Sequence, residues 1–416
     1  MPFIYSIGSF HWYHTPLTTS EEHQQQIRAL PEVAYVQPDV MFHLNVEHNW
    51  GGHVAVEPSS INVDSRLTSA TTIKLAGDNV FVQQHPPSWG LDRIDQNTGE
   101  DAIYHFDSLS GAGSTVYIVD TGVNPYHVDL VNRVSIGPTF VGNGSSEDWN
   151  GHGTFVGGVC CGTQYGVAKN ASIISVKSLN ADGSGSLSNV LQALNWVNQD
   201  VTTKNIRGKA IVNLSLGADY NQPTNDAIEA MIASGIHFAI AAGNDGGDAC
   251  SYSPASVVNA TTVGATNIDD TIAAYSNTGK CVDIFAPGSG IVAPWAGPNT
   301  TDATLRLMSG TSMASPHVAG VMALFAAAAN YTPIEMNQKL KSIASIPTQF
   351  NKTAPAWKQG DSVASANLLA PNVLYSQPGP GSNIIFKVGQ ASAAVRYLPS
   401  FAYSIACIIV LCVSTL

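Results

Sequence analysis

From residue 89 onward, short apolar runs of strand length alternate with stretches of helical periodicity, and this alternation narrows the range of folds more than any other feature of the chain. The runs fall at 115–119, 172–177, 210–215, 237–241, 261–265 and 282–285; the helical patterns fall at 188–201, 225–234, 311–328 and 333–343. Strands that are apolar on both faces need cover on both faces, and a parallel sheet between two helical layers supplies it. The expected fold is therefore a three-layer α/β domain with a mainly parallel central sheet, spanning residues 88–375. A segment at 367–373 is expected to close it, and the Pro and Gly run at 378–381 marks its end. A chain of 416 residues has room for one such domain and accessory segments.

Residues 1–44 hold a helical pattern at 20–30, with Glu21 and Glu22 near its start, and then an alternating run at 33–36. This is a small α/β unit. Residues 45–87 are polar and irregular and read as a linker, where a processing cut is expected between Val46 and Pro87. The opening MPFIYSIGSF has neither a basic start nor a long apolar core, so no signal peptide is visible in it. Residues 376–416 form a second linker and a hydrophobic tail. The stretch SFAYSIACIIVLCVSTL at 400–416 is nearly uncharged and almost long enough to span a bilayer. It follows small residues at 390–394, the layout of a lipid-anchor attachment signal. Cell-surface anchoring, a marginal tail anchor with membrane association, an extended reading frame and a strand docked on the domain all stand as readings of this tail.

Lys and Arg total 18 against 30 Asp and Glu, a formal net charge of -12. Such a balance excludes a nucleic-acid binder, which needs a basic footprint for phosphates. None of the 6 cysteines has the short paired spacing of a zinc site. Cys250 and Cys281 bracket a stretch with strand and turn signals, and a disulfide between them is expected in an oxidising compartment. Cys160 and Cys161 lie in a Gly-rich apolar run and are expected to be buried thiols. Asn143, Asn299 and Asn351 head glycosylation triplets that fit a secretory route, and the chain is expected to be extracellular.

Peptide hydrolysis by a hydroxyl nucleophile needs a base, a group that orients the base, and donors for the developing oxyanion. TVYIVDTG places Asp120 at the carboxyl end of a buried strand, the edge of an open α/β sheet where sites form. In NGHGTFVGG, His152 sits between two glycines at the start of a helical run. LMSGTSMASPHVAGVMALF begins a long apolar helix with Gly310, Thr311 and Ser312. Ala314, Ser315, Ala319 and Gly320 are small enough to let that helix pack tightly in the core, so its free amides and positive dipole fall at Ser312. The backbone amide of Ser312 is then one oxyanion donor, and Asn244 in FAIAAGNDGG is the candidate for the other. Taken singly, each of these residues is a turn, cap or loop residue more often than a catalytic one. Only the set carries the argument.

At these residues the chain resembles the subtilisin superfamily, most closely its proteinase K branch. VDTG, GHGT and GTSMASPHVAG occur in the family's order, with AAGN in its place between the second and third, and the resemblance covers about Trp89 to Leu374. It implies a serine endopeptidase acting on proteins or peptides through an acyl-enzyme, with Asp120, His152 and Ser312 as triad and Asn244 as oxyanion donor. Gly183, Ser184 and Gly185 would lie along one side of an extended substrate and Ser215, Leu216 and Gly217 along the other, each pairing with it as an added strand. Ala241, Ala242 and Gly243 would wall the primary specificity pocket. The spacing of Cys250 and Cys281 is similar to a disulfide found in some relatives. VDIFAPG around Asp283 is similar to a segment that supplies a calcium carboxylate, with carbonyl ligands from Val258 and Ala260; the chemistry itself needs no cofactor.

Residues 1–44, above all IRALPEVAYVQPDV, resemble the family's inhibitory propeptide, a ferredoxin-like α/β unit that occupies the cleft of its own enzyme and is removed. The part that should precede Tyr5, including a first strand, is not in this sequence, and a truncated unit is expected. Phe155 departs from the pattern, since many relatives carry a second His there. The resemblance implies a monomer made as a precursor, with its propeptide as intramolecular inhibitor. Two other readings are a catalytically silent binding protein on the same scaffold and a product left misfolded by the truncated propeptide. All four chemical positions are intact, which favours the enzyme.

Overall fold

The computed structural model describes residues 3–8, 10–14, 21–30, 33–45, 55–56, 72–74, 80–95, 100–142, 144–298, 300–344 and 408–412. The chain opens with β1 (Phe3–Ile7), β2 (Phe10–His14), α1 (Glu21–Arg28), β3 (Tyr35–Gln37) and β4 (Met41–Leu44). Short strands β5 (Ala55–Val56), β6 (Thr72–Lys74) and β7 (Val80–Gln84) lead to α2 (Trp89–Ile94) and β8 (Ile103–Asp107). Next come β9 (Thr115–Asp120), β10 (Val134–Thr139), α3 (His152–Cys161), β11 (Ser172–Lys177), β12 (Ser184–Ser186) and α4 (Leu187–Lys204). They are followed by β13 (Ala210–Leu214), β14 (Leu216–Asp219), α5 (Gln222–Ala233), β15 (His237–Ala241) and β16 (Tyr252–Ser253). The domain continues through β17 (Thr261–Thr266), β18 (Ile284–Pro287), β19 (Ile291–Pro294), β20 (Leu305–Met308), α6 (Thr311–Ala328) and α7 (Pro333–Ile343). The last described strand is β21 (Ile408–Cys412).

Seven strands form the central sheet in the order β10-β11-β9-β13-β15-β17-β18, every neighbouring pair parallel. All six anticipated strands are present. The seventh, β10, has no apolar run to betray it: VSIGPT carries Gly137 and Pro138, which an edge strand tolerates. The last anticipated strand starts at Ile284 rather than Val282, because the Asp283 carboxylate is occupied in accepting the amide of Thr262 at 2.8 Å. The strands that follow β9 are divided between its two sides, β10 and β11 on one and β13, β15, β17 and β18 on the other, so the carboxyl end of β9 is a topological switch point.

Helix α6 is buried along nearly its whole length, from Thr311 to Ala326, which its Ala and Gly residues permit. Pro316 within it has no N–H to give to the carbonyl of Ser312. The hydroxyl of Ser215 takes that carbonyl instead, at 3.0 Å.

The N-terminal unit sits on α4 and α5. Ile7, Phe10 and Trp12 are buried in the same apolar cluster as Val197 and Ile228. Tyr35 donates to Asp226 at 2.7 Å, and Asp39 accepts both the amide and the hydroxyl of Ser188 at 2.8 Å, in the first turn of α4. Its sheet has the order β1-β2-β21-β3, so the tail segment Ile408–Cys412 pairs antiparallel with both β2 and β3. The closing segment anticipated at 367–373, the small residues at 390–394 and the asparagines Asn143, Asn299 and Asn351 lie outside the described residues.

Cys250 and Cys281 form a disulfide with Cα atoms 5.3 Å apart, tying the loop after β15 to the approach to β18. Cys160 and Cys161 are fully buried, but their sulfurs are joined to each other rather than standing as separate thiols. Both lie in the last turn of α3, next to the extended Gly162.

Candidate active site

Asp120 ends β9 and is fully buried. Its Oδ1 accepts the amide of Thr121 at 2.7 Å and Nδ1–H of His152 at 2.8 Å; Oδ2 lies 3.0 Å from the same nitrogen. His152 opens α3. It is preceded by Gly151, whose φ of 102° is left-handed backbone that glycine adopts without strain. Gly153 follows, and a Cβ there would strike the carbonyl of Gly122 at the end of β9. The two glycines are thus what allows the imidazole to approach the carboxylate.

A buried carboxylate that sequence reasoning missed holds this turn. Asp148 Oδ1 accepts the amide of Gly151 at 2.7 Å and the hydroxyl of Thr121 at 2.8 Å; Oδ2 accepts the amide and hydroxyl of Thr154 at 2.9 and 2.6 Å. It ties β9 to the first turn of α3. Asp148 stands three residues ahead of the N-cap Gly151, outside the usual capping position, and its acceptance of the Thr154 amide comes from the turn folding back on the helix start.

Ser312 lies in the first turn of α6 and is fully buried. Its hydroxyl donates to the carbonyl of Ser215 at 3.0 Å, while Nε2 of His152 is buried without a hydrogen-bond partner among the described residues. Asp120 and His152 are therefore brought together directly, and Ser312 is turned toward β14. A buried polar chain fixes α6 against β13: Ser315 donates to Asn213 at 2.8 Å, and Asn213 donates to Ser215 at 2.9 Å.

Asn244 is oriented by Thr311, whose amide and hydroxyl both donate to Asn244 Oδ1 at 2.9 Å. Nδ2 of Asn244 is left buried and without a partner among the described residues. A buried amide donor with nothing to bind is costly, so its orientation matches a ligand oxygen expected beside it.

Between the two flanking segments named from the sequence lies the chain's own strand β4. It pairs antiparallel with β12 and with β14, matching His43 with Ser184, Phe42 with Gly185, Leu44 with Leu216 and His43 with Gly217. Leu44 donates to the carbonyl of Gly183 at 3.2 Å, and Asn45 to the carbonyl of Ser215 at 3.4 Å. Phe42 is fully buried, in a cluster with Leu179, Leu187 and Leu216. The amide of Ser312 donates to the carbonyl of Asn45 at 3.2 Å. A cavity of about 480 Å³ opens beside Asn45, walled by Ala241, Ala242, Gly243 and Gly217.

The set Asp283, Val258 and Ala260 does not fit a calcium ion as it stands. Lys341 forms an ion pair with Asp283, the other Asp283 oxygen accepts the amide of Thr262, and the carbonyl of Ala260 accepts Nδ2 of Asn337 at 2.9 Å. The positive charge the carboxylate calls for is an ammonium. Among the described residues no group of three or more His, Cys, Asp and Glu side chains could hold a metal.

A sequence model of the Subtilase family matches residues 111–371. Subtilisin-like protease 3 of Pseudogymnoascus destructans is 43% identical over 278 residues, 65% of this chain and 68% of that protein. Subtilisin-like serine protease Rho m 2.0101 of Rhodotorula mucilaginosa is 39% identical over 74% of this chain and 90% of its own length. The crystal structure of a cold adapted subtilisin-like serine proteinase superposes with a TM-score of 0.58 at 43% identity, covering 64% of this chain and 94% of that one. With a buried Asp-His pair at the switch point of a parallel sheet, and a serine at the mouth of the core helix, the chain belongs to the subtilase family and is a subtilisin-like serine endopeptidase.

Proposed function

We propose that Ser312 is the nucleophile, His152 its base and Asp120 the group that holds the imidazole. The Ser312 hydroxyl turns from the Ser215 carbonyl to the open Nε2 of His152, which takes its proton as Oγ attacks the scissile carbonyl. Asp120 keeps the second proton on Nδ1 and stabilises the imidazolium. The oxyanion is held by the amide of Ser312 and by Nδ2 of Asn244, both placed before any charge develops. Collapse expels the amine with the proton from His152, and water then releases the acyl group by the same steps in reverse.

The observation that carries this reading is the carbonyl of Asn45 on the amide of Ser312, at the end of a strand threaded between β12 and β14. We infer that residues 1–45 are an inhibitory propeptide and that the first cut falls between Asn45 and Val46, one bond upstream of the window expected from composition. After that cut the segment stays in the cleft, held by its backbone bonds, by Phe42 and by the contacts of Tyr35 and Asp39. The chain is then a precursor that blocks its own site, and the Cys250–Cys281 disulfide supports an extracellular destination. Replacing Ser312 by Ala tests the assignment: casein hydrolysis should fall to background while near-UV circular dichroism is retained. Undiminished hydrolysis by a folded variant would reject it.

A further inference from the structure

The occupant of the cleft shows which side chain enters the cavity before the cut. A Cβ built on Gly217 would lie 3.2 Å from both Oδ1 and Nδ2 of Asn45, so the missing side chain of Gly217 is replaced by the amide of Asn45. This amide is a polar group, and it is short for a cavity of about 480 Å³. Successive side chains of a strand alternate, so Asp219, two residues beyond Gly217 in β14, stands on the same face. Asp219, Asp245 and Tyr252 line the same cavity, and among the described residues its lining holds no Lys or Arg.

Tyr252 reports the sign of the potential there. Its hydroxyl is pushed above its ordinary range by burial first, then by the charge of Asp245, a hydrogen bond to Asp245 and the charge of Asp219. Both carboxylates thus act on one tyrosine in the cavity wall.

Resting on the protease reading above, we propose that Asp219 and Asp245 make this pocket selective for a residue before the scissile bond whose side chain ends in N–H donors, with lysine and arginine preferred over apolar residues of equal length. The walls of Ala and Gly accept an aliphatic stem, and the carboxylates, with the Tyr252 oxygen, receive the cationic head. Asn45 is a weak member of the same class: its amide has N–H donors and no positive charge, which suits a segment that must be cut once and later released.

The test compares lysine with norleucine, which keeps the stem and lacks the ammonium, in a tetrapeptide p-nitroanilide series on the mature enzyme. Wild type should show a kcat/KM ratio of lysine to norleucine of about ten or more, falling several-fold between 0.05 and 0.5 M NaCl as the carboxylates are screened. In the double variant Asp219→Asn, Asp245→Asn the ratio should drop to near one and lose its salt dependence. A wild-type ratio near one, or a high ratio that survives both the substitutions and the salt, would overturn the proposal while leaving the protease reading intact. Absence of hydrolysis on every peptide would instead remove the protease reading, and this proposal with it.

Discussion

The amide of Ser312 and the carbonyl of Asn45 are hydrogen-bonded at 3.2 Å, joining the first turn of the buried core helix to the end of the N-terminal unit. On the proposed assignment of Ser312 as nucleophile, this pair marks the scissile bond and the direction in which peptide runs through the cleft.

If Asn45 is the residue before the first cut, the processed polypeptide begins at Val46. N-terminal sequencing of the secreted protein should read VEHNW, and the Ser312→Ala variant should keep residues 1–45 attached. A mature start further into 47–87 in an otherwise active protein would show that the Asn45 geometry is not the productive one.

Asn244 offers its buried Nδ2 to the oxyanion, and Thr311 occupies its other terminus. Asn244→Ala should lower kcat by roughly a hundred- to a thousandfold with little change in KM, a magnitude carried over from the side-chain donor of subtilisin itself rather than derived from this structure. A matching rise in KM with kcat preserved would mean that Asn244 binds the ground state.

Asp148 accepts five hydrogen bonds, from Thr121, Asn150, Gly151 and twice from Thr154. Asp148→Asn exchanges one acceptor for a donor that faces other donors, so unfolding should become easier by about 2–4 kcal/mol. Because the turn positions His152, kcat should fall as well while the fluorophosphonate-reactive fraction of folded protein declines. Unchanged stability in urea titration would contradict the role given to this carboxylate.

Much of this architecture was legible because its physical causes are local. Six of the seven central strands carry the Val and Ile that double-sided burial demands, and α6 announces its burial through Ala and Gly. The edge strand β10 was invisible since an edge needs no such pattern and admits Pro138. At the site, the contact between Asp120 and His152 was readable from residue types and their order, and Ser312 and Asn244 were named as candidates from the same motifs. Residues acting through long-range contacts were not. Asp148 reads as a loop acid until β9 and α3 meet around it, Asn45 reads as linker until β4 is seen between β12 and β14, and the Lys341 ammonium on Asp283 replaces the metal that local similarity suggested.

His237 opens β15, nearly fully buried, with Nε2 near the carbonyl of Gly208 at 3.3 Å and Nδ1 unpartnered among the described residues. Burial holds its pKa down to about 4, only partly offset by the Gly208 bond. The unfolded chain takes up the proton first as the pH falls below the ordinary value near 6.5. Stability from this group is thus complete above that value and is lost on the way down to about 4, a change of about 3 kcal/mol. In a Ser312→Ala background, which prevents autolysis, the stability gap between His237 and a His237→Gln variant should shift by that amount in the variant's favour from pH 7 to pH 4. A gap independent of pH would show that the imidazole titrates normally.

Fluorophosphonate labelling with peptide mapping checks the proposed activation of a hydroxyl on α6 by an imidazole on α3. On the processed protein one modified residue, Ser312, is expected, with labelling lost in a folded His152→Ala variant. Modification at another serine, or labelling of Ser312 that proceeds equally without His152, would contradict it.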